Sequence, residues 1–578
     1  MKNEKITSFL KSLFAGDIRQ DIIFPFPQQD KEETENLQMI LQAWQEFARD
    51  NVDPVEIDKN AEIPKEVLDG MKEIGLFGLP VSDEYEGAGV SKTSYCRVFE
   101  EICRYDSGIA VMFGAHASIG TNGIVLFGTE SQKAKYLPKL ASGEYIAAFA
   151  LTEPGAGSDA AGITTTAVLN ENKTAFILNG SKIWISNGGY AQLATVFAKT
   201  IVHQNGEDKE KITAFIVELD SAGVSRGKPE HKLGIRGSNT TSLNFDNVEV
   251  PVDNLLGPMG KGFLVAMETL NTGRLGLAAG CIGGMKELLQ QANQYAQSRE
   301  QFGKSLDKFE LIQDKIAYIA SETYATESIV YLTTGLQDRG GVDVSLESAI
   351  CKIVGSEAVW DASDEVLQIA GGLGYSTEYP YERFLRDARI HRIFEGTNEI
   401  LRMFVALSGI QGPGEYLKNV GKALRNPIKG FGLLTGFAAH KVKDTITIDH
   451  LKNICPELKN EAEQFDKLSA RLAALTENVL MKYGKKIIYK QFILQRIANM
   501  VINLFGMAAV ISRVDTRVKQ GKSIEHDLPL AKLYCNMAAS RVRREARYVT
   551  RNHDKQRTQI SEMICENGKY PIDMLLDK

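Results

Sequence analysis

The sequence has few cysteines, and none of them stands in a spacing that binds metal or forms a redox pair. Seven cysteines are spread over 578 residues, with no C-x-x-C among them. This distribution argues against a zinc site or a disulfide framework and favours reduced thiols in a cytosol-like compartment. The eight histidines also lack the pairing that metal ligands show, so we expect no metal site.

A strong excess of charge and a secretory signal are also missing from the sequence. The formal net charge of −6 gives no general reason to expect a nucleic acid partner. At the N-terminus, Glu4 and Lys11 interrupt the apolar stretch that a signal peptide would need. Two uncharged stretches cover residues 107–129 and 497–512. The first contains five glycines and the second is shorter than the roughly 20 residues that cross a bilayer, so we interpret both as buried helices.

A change of hydrophobic period divides the chain into blocks. Leu37, Ile40 and Trp44 follow helical spacing, and helical segments continue to about residue 146. From Ala147 onward, short β-branched and aromatic runs alternate with Gly, Asn and Asp, which is typical of an antiparallel sheet or barrel. Helical spacing then returns, and such sequential blocks indicate a mostly helical α+β protein. We predict an N-terminal extension (1–30), a helical domain (31–146), a β domain (147–255), a helical bundle (256–411) and a further helical domain (412–578).

One carboxylate stands in a setting that suits a catalytic base. Glu395 directly follows Phe394 and precedes Gly396 and Thr397. An apolar neighbour that removes water from a carboxylate raises its pKa from about 4.3 and makes it a stronger base. Gly396 permits close approach of a ligand to the backbone, and Thr397 offers a hydroxyl. The alternative, a solvated glutamate before a helix that Thr397 caps, stays open at this point.

Two segments at the start of the β domain are candidates for a nucleotide site. Residues 151–159, LTEPGAGSD, contain small residues whose N–H groups could surround a pyrophosphate, but they do not match the G-x-G-x-x-G fingerprint. An ordinary Pro-Gly turn explains them equally well. Residues 182–188, KIWISNG, place Trp184 where a flat cofactor ring could lie against the indole, although a core tryptophan fits the same pattern.

Two further candidate segments lie in the helical bundle. In residues 298–303, SREQFG, Arg299 suits a phosphate and Phe302 suits stacking, while a helix end capped by Gly303 is the alternative. Residues 368–372, QIAGG, form a predicted helix end whose glycine backbone could meet a ligand.

Taken in order, these motifs resemble those of the acyl-CoA dehydrogenase family. They are LTEPGAGSD, WISNG, SREQFG, QIAGGLG and FEGTNEI. The N-terminal SFLKSLFAG and FPFP segments and the region after Gly409 are similar to the very-long-chain branch, which carries an extra C-terminal helical domain. The resemblance therefore covers essentially the whole chain. It implies a helical N-terminal domain, a middle β-barrel or sheet domain and a C-terminal four-helix bundle, followed by that extra domain.

The resemblance also implies FAD as the cofactor. Thr152 and Ser186 would hydrogen-bond the flavin ring, Trp184 would lie beside it, and Gly157 with Ser158 would hold the pyrophosphate. A second group would reach the FAD of a neighbouring subunit in a homodimer: Arg299, Gln301, Phe302, Gln368 and Gly372. The remaining implied cofactor contacts are Leu151, Thr397 and Glu399.

For catalysis, the resemblance implies that Glu395 removes the α-proton of an acyl-CoA thioester in fatty acid β-oxidation. The β-hydrogen would leave as hydride to flavin N5, and the product would be a trans-2-enoyl-CoA. Relatives that carry the base on an earlier helix would place it at Gly273, which cannot act as a base.

The implied substrate contacts include a groove for the acyl chain. On a regular helix, Ala110, Gly114 and Ala117 share one face whose small side chains leave room, although close helix packing explains the same residues. The full set of implied contacts is Ser158, Asn271, Arg274, Gly396, Gly114 and Ala117.

Partners and location follow from the same resemblance. We expect a long- or very-long-chain acyl-CoA as substrate and an electron-transferring flavoprotein as acceptor. An acyl-CoA oxidase that uses O₂, and a respiratory-complex assembly protein that kept the fold, stay open as alternatives. Residues 412–443 form a basic amphipathic segment that fits a membrane interface, although a packed helix with a solvated basic face fits equally well. The expected location is cytoplasmic, with peripheral contact to the inner face of a membrane.

Overall fold

A computed structural model of the chain describes residues 8–204, 206–413, 450–572 and 574–575. These residues fall into two compact units. The first contains Ser8, Asp21–Leu401 and Ser512–Tyr534, and the second contains Phe9–Gln20, Arg402–Ile511 and the chain from Cys535 onward. The predicted membrane-contact segment, 412–443, lies outside the described residues from position 414 on.

Helices occupy the chain up to residue 141. They are α1 (Phe9–Phe14), α2 (Gln20–Ile23), α3 (Lys31–Asn51), α4 (Pro54–Asn60), α5 (Lys65–Glu73), α6 (Lys92–Tyr105), α7 (Ser107–Gly114), α8 (Asn122–Phe127) and α9 (Glu130–Ala141). Between α7 and α8 the chain winds as a π-helix, Ala115–Gly120. In α3, the Asp30 side chain accepts a hydrogen bond from the Glu33 N–H and caps the first turn, while Leu37 and Trp44 are buried on one stripe.

A single eight-stranded sheet follows the first helices. Its strands are β1 (Ala147–Ala150), β2 (Thr166–Leu169), β3 (Ala175–Ser186), β4 (Leu193–Gln204), β5 (Glu207–Glu218), β6 (Val224–Arg226), β7 (Thr240–Pro251) and β8 (Leu255–Leu256). The strand order is β6-β7-β3-β2-β4-β5-β8, with β1 beside β4. The pairings are antiparallel except for those of β1 and β2 with β4. Alternating burial in β7, with Leu243 and Phe245 inside, shows the two-residue period that the sequence predicted.

Long helices return after the sheet. They are α10 (Gly262–Ser298), α11 (Glu310–Arg339), α12 (Ser345–Ala370), α13 (Tyr381–Ile390) and α14 (Asn398–Gly409), with a small hairpin of β9 (Glu300–Gln301) and β10 (Lys304–Ser305) after α10. The α10 helix packs along α6, α11 and α12. Glycine in α10 allows α6 to approach it closely, since a Cβ at Gly283 would lie 2.0 Å from the carbonyl oxygen of Glu100. The helix–sheet–helix order and the mostly helical α+β class predicted from the sequence are confirmed.

The second unit is helical within its described residues. Beyond α1 and the end of α14 it draws on α15 (Lys459–Tyr483), α16 (Gln491–Lys519), α17 (Asp527–Thr550) and α18 (Asp554–Asn567). The α1 helix packs on α15, and the ring centroids of Phe9 and Phe505 are 6.2 Å apart. The buried guanidinium of Arg496 donates to Asp554 Oδ2 at 2.7 Å, which compensates for its loss of water.

In the part of the chain that the structure describes, two apolar helical stretches are long enough to cross a membrane by length and composition. The stretch Ser107–Phe127 is 78% buried over its most apolar window, and Gln491–Lys519 is 83% buried. Such burial is what the core helices of a folded domain show.

Because α6 and α10 approach closely, we expect Gly283 to be intolerant of substitution and the neighbouring Gly284 to accept alanine. Gly283→Ala should destabilise the protein by about 1–3 kcal/mol, because the new Cβ meets backbone that cannot move aside. Gly284→Ala is the matched control, since its Cβ would lie an ordinary 3.4 Å from Val359 and alanine favours a helix. Thermal melting measures both variants, and equal melting temperatures would contradict the packing described here.

Candidate functional site

Glu395 lies in the short turn between α13 and α14. The backbone at Glu395 and Gly396 has positive φ angles of 59° and 89°, a conformation that costs a non-glycine residue about 1–3 kcal/mol. The surroundings must therefore hold the turn in place. Two buried cations do so: Arg274 Nε donates to the Glu395 carbonyl oxygen at 3.2 Å, and Lys352 Nζ donates to the Gly396 carbonyl oxygen at 2.8 Å.

Each of these cations is fixed by a second partner. Lys352 Nζ also donates to Asn398 Oδ1 at 2.7 Å, and Asn398 is the first residue of α14. Arg274 Nη1 donates to Asn271 Oδ1 at 2.9 Å, one turn earlier on α10. Charge-assisted hydrogen bonds therefore connect the Glu395 turn to α10, α12 and α14.

Glu395 is half-buried, and one of its two carboxylate oxygens is shielded from solvent. This oxygen, Oε2, accepts no hydrogen bond within the described residues. Gly273 provides the space, because a Cβ there would lie 2.9 Å from Oε1 and 3.0 Å from Oε2. Burial raises the pKa of Glu395 to about 7, against the opposing charges of Arg274 and Lys352. The carboxylate can therefore take up a proton near neutral pH.

The alternative of a solvated Glu395 is excluded, but the capping role of Thr397 is real. Thr397 Oγ1 accepts a hydrogen bond from the Ile400 N–H at 3.3 Å and so caps α14. Capping and a buried Glu395 occur together in the same turn.

The carboxylate forms part of the wall of a mainly apolar cavity of ≈ 70 Å³. Gly114 is in this wall, whereas Ala117 is fully buried and is not among the lining residues. The predicted groove assumed a regular helix with Ala117 on its face; the chain here is a π-helix, and Ser118, four residues after Gly114, lines the cavity instead. The lining residues are Phe99, Cys103, Ser107, Ala110, Val111, Gly114, Ala115, Ser118, Ile119, Ser186, Gly273, Leu277, Gly280, His391, Phe394 and Glu395.

The LTEPGAGSD segment forms a turn that is anchored by one buried carboxylate. Glu153 accepts hydrogen bonds from the Thr164 and Thr165 N–H groups at 2.5 and 3.0 Å and from Lys182 Nζ at 2.7 Å. Burial acts to raise the pKa of Glu153, but these hydrogen bonds outweigh it and hold the pKa at about 2. The same Lys182 Nζ donates to the Leu151 carbonyl oxygen at 3.2 Å, so Lys182 holds both Leu151 and Glu153 in place.

The second β-domain segment lies next to this turn. The Ile183 N–H donates to the Thr152 carbonyl oxygen at 3.0 Å, which brings Thr152 beside Trp184. Trp184 has a φ of 59° and its side chain is 58% exposed, so the core alternative for this residue is excluded. Ser186, two residues on, belongs to the wall of the Glu395 cavity.

These residues fit the flavin nucleotide that the resemblance implies. A Cβ at Gly155 or at Gly157 would meet no atom of the described residues within 4 Å, so packing among these residues requires neither glycine. Open glycine backbone suits the close approach of a pyrophosphate, and the exposed indole of Trp184 suits contact with a planar ring. Ser158, the other predicted pyrophosphate contact, is exposed on the same turn.

The residues predicted to reach a neighbouring subunit are exposed and do not line the Glu395 cavity. Phe302 is 92% exposed at the tip of the β9–β10 hairpin, where Phe302 and Gly303 both have positive φ. A Cβ at Gly372 would meet nothing within 4 Å. The exposed members are Arg299, Gln301, Phe302, Gln368 and Gly372. On α14, Glu399 is also exposed, and Thr397 is half-buried.

Sequence reasoning missed three residues that the structure brings to the site. Lys352 left one signal, a single lysine inside the apolar run of α12, and burial lowers its pKa to about 7. His391 lines the cavity with a buried Nδ1 that has no hydrogen-bond partner in the described part of the chain, and burial lowers its pKa to about 4. Ser118 stands four residues after Gly114, and this helical spacing is a signal that could have found it.

Comparison with known sequence families covers most of the chain. “Acyl-CoA dehydrogenase, N-terminal domain” matches residues 34–144, and the middle and C-terminal domains of the same name match residues 148–248 and 260–409. “ACAD9/ACADV, C-terminal domain” matches residues 456–570.

Individual relatives are similar over nearly the full length. The very long-chain specific acyl-CoA dehydrogenase, mitochondrial, of Macaca fascicularis is 43% identical over 574 residues, which cover 97% of this chain and 88% of that protein. The crystal structure of an acyl-CoA dehydrogenase complexed with FAD from Bacillus anthracis superposes with a TM-score of 0.79 at 33% identity, covering 97% and 96% of the two chains. Butyryl-CoA dehydrogenase from Megasphaera elsdenii gives a TM-score of 0.62 at 38% identity and covers 66% of this chain and 98% of its own.

The buried carboxylate predicts a pH-dependent effect on stability. The folded protein keeps the Glu395 proton up to about pH 7, whereas the unfolded chain releases it near 4.5. The stability from this group is therefore fully present below pH 4.5 and is lost as the pH rises through about 7, by up to about 1.4 kcal/mol per pH unit.

Because Glu395→Gln removes this titration, its melting temperature relative to the parent should rise between about pH 5 and about pH 8. Glu399→Gln, at an exposed position on α14, is the matched control and should show a flat difference. A flat difference for Glu395→Gln as well would contradict the enclosed carboxylate.

Proposed function

As a member of the acyl-CoA dehydrogenase family, the chain is an FAD-dependent oxidoreductase, and we propose that it dehydrogenates long-chain acyl-CoA thioesters with Glu395 as the base. The observation that carries this proposal is the Glu395 carboxylate, whose Oε2 is shielded from solvent, has no partner among the described residues and belongs to the wall of an apolar cavity. An acyl chain in that cavity would bring the α-carbon of its thioester to a base of suitable pKa.

Proton removal next to a thioester needs two contributions from the protein. The first is a positioned base, which accelerates such a step by roughly 10²–10⁴. The second is stabilisation of the charge that develops on the thioester oxygen. The Glu395 backbone N–H makes no hydrogen bond within the described residues and is free to donate to that oxygen. Arg274 and Lys352 keep this peptide in place and add positive potential near it.

The cofactor would be held by the two β-domain segments. Gly157 and Ser158 would contact the pyrophosphate, while Thr152, Trp184 and Ser186 would contact the flavin. FAD, when bound, supplies the two-electron acceptor that protein side chains lack. Because Ser186 belongs both to this group and to the cavity wall, the substrate chain and the cofactor would meet beside β3.

A homodimer would complete the cofactor site. Arg299, Gln301 and Phe302 at the α10 end, together with Gln368 and Gly372 at the α12 end, are exposed side chains and open backbone. A phenylalanine that is 92% exposed gains most from burial against a second chain. The family resemblance predicts that these residues contact the FAD of a neighbouring subunit.

The proposed electron acceptor is an electron-transferring flavoprotein. No observation favours the oxidase or the assembly-protein alternative. A purely structural role would not require a base in an apolar cavity. The mammalian relatives are named as mitochondrial proteins. The cytoplasmic location and the membrane contact of residues 412–443 stay predictions, since residues 414–443 lie outside the described part of the chain.

The proposed substrates have long acyl chains. The relatives named very long-chain specific support this, and we expect a preference for about sixteen carbons over about six, with each added buried methylene contributing up to ~0.8 kcal/mol. Gly114 is unsuitable as a position for testing this by a bulky substitution, because even a Cβ there would lie 2.6 Å from the Phe99 ring.

The decisive experiment is anaerobic titration of the purified flavoprotein with acyl-CoAs of increasing length. The flavin absorbance should bleach with long-chain acyl-CoA, and kcat/KM should rise with pH through about 7 as Glu395 loses its proton. Glu395→Gln should keep the flavin and the fold but lose at least about 10² in rate. Bleaching of Glu395→Gln at the parent rate would remove Glu395 from the base role.

Flavin retention tests the shared cofactor site. Arg299→Ala should lose FAD on gel filtration while the free energy of unfolding of its apoprotein stays within about 0.5 kcal/mol of the parent value, since Arg299 is exposed. Lys304→Ala, on the same hairpin, is the control and should keep its flavin. A sedimenting monomer with full flavin occupancy would contradict the dimer proposal.

A further inference from the structure

The ring of Phe99 fills a slot that exists because three positions lack side chains. Phe99 lies on α6, and its ring faces glycines of two other helices. A Cβ at Gly114 would lie 2.6 Å from the ring, one at Gly280 would lie 2.8 Å from it, and one at Gly276 would lie 3.3 Å from it. Carbon atoms do not pack below about 3.5 Å, so a side chain at the first two positions would exclude the ring in its present place.

This slot adjoins the cavity that contains Glu395. Phe99, Gly114 and Gly280 all line that cavity. Along α10, Gly273 faces the Glu395 carboxylate, and Gly276 and Gly280 follow it by about 4.5 and 10.5 Å at the rise of an α-helix. The ring therefore packs against the part of the α10 wall that leads away from the base.

The opposite wall runs in the same direction. Ile119 stands next to the base, since a Cβ at Gly273 would lie 2.7 Å from it, whereas Gly114 lies about one helical turn earlier and faces Phe99. Both walls thus pass from Glu395 to the Phe99 ring. Cys103 and Ser107 also line this cavity.

Aromatic packing alone accounts for part of the position of Phe99. Its ring centroid is 6.1 Å from that of Tyr95 and 5.7 Å from that of Phe113. Phe113 is fully buried and does not line the cavity, while Phe99 does. The two phenylalanines therefore share a cluster but differ in whether a ligand in the cavity would meet them.

We propose that the Phe99 ring sets the upper limit of acyl chain length in this enzyme. The inference rests on the proposed acyl-CoA dehydrogenase function and adds the residue that determines specificity. With the ring in place, an acyl chain leaving the Glu395 end meets an aromatic wall. Without the ring, the glycine-lined slot joins the cavity and admits further methylenes.

Phe99→Ala tests the proposal, with kcat/KM measured for acyl-CoAs from short to very long chains. The ratio of kcat/KM for a chain of about twenty carbons to that for about fourteen should rise roughly tenfold or more, since each newly buried methylene strengthens binding about fourfold. Phe113→Ala is the matched control: it removes an equal ring from the same cluster and should lower the melting temperature without changing the ratio. Phe99→Leu serves if the alanine variant fails to fold, and it should shift the ratio in the same direction.

Filling the slot with a side chain from α10 distinguishes an effect on chain-length specificity from a loss of stability. In the Phe99→Ala background, Gly280→Leu should return the chain-length ratio to the parent value, because leucine on α10 would occupy the space that the ring left. A binding readout without turnover uses the Glu395→Gln background, in which calorimetry with the same acyl-CoAs should show the same shift in affinity upon Phe99→Ala.

The outcomes distinguish this inference from the proposed function. If the parent protein bleaches with long-chain acyl-CoA but Phe99→Ala and Phe99→Leu keep its length profile, the role of Phe99 is wrong and the function stands. An equal shift with Phe113→Ala would also overturn the role, because general loosening would then explain it. If no acyl-CoA bleaches the parent, the function fails and the inference fails with it.

Discussion

The site depends on two buried cations that hold the backbone of one turn. Arg274 and Lys352 donate to the carbonyl oxygens of Glu395 and Gly396, the two residues with positive φ. Left-handed backbone at a glutamate is unfavourable, and a buried carboxylate is more so. Hydrogen bonds from charged donors, each worth roughly 1.5–3 kcal/mol, are strong enough to offset the backbone strain. The orientation of Glu395 toward the cavity follows from them.

The same turn depends on the glycine-rich middle of α10. This helix supplies Arg274 to the turn, Gly273 to the space around the carboxylate and Gly276 with Gly280 to the slot of Phe99. One helix thereby fixes the base and the cavity wall relative to each other. A side chain at Gly273 would occupy the space of the Glu395 carboxylate. A base at position 395 therefore requires glycine at position 273.

Periodicity revealed the elements of this fold, but it could not reveal contacts between them. The helical spacing predicted to return after the β domain corresponds to the long helices α10, α11 and α12, because apolar spacing and flanking glycines mark helices locally. Ala117 was expected in the acyl groove, yet Ser118 lines it, because positions three and four residues after Gly114 both fall near its face and spacing alone does not separate them. The link from Lys352 to Gly396 joins positions 44 residues apart, which only the folded chain brings together.

The hydrogen-bond partners of Arg274 and Lys352 determine how strong a base Glu395 is. An ion pair between Glu395 and either cation would satisfy the carboxylate and lower its pKa, and a carboxylate so paired is a weak base. Within the described residues both cations instead direct their hydrogen bonds to backbone and amide oxygens, and Oε2 stays unpartnered. Their charges still oppose the rise that burial causes, which leaves the pKa at about 7. Arg274 and Lys352 thus hold the turn and limit the pKa of Glu395 without bonding to its Oε2. The lone pairs of Oε2 remain free to accept a proton from a substrate.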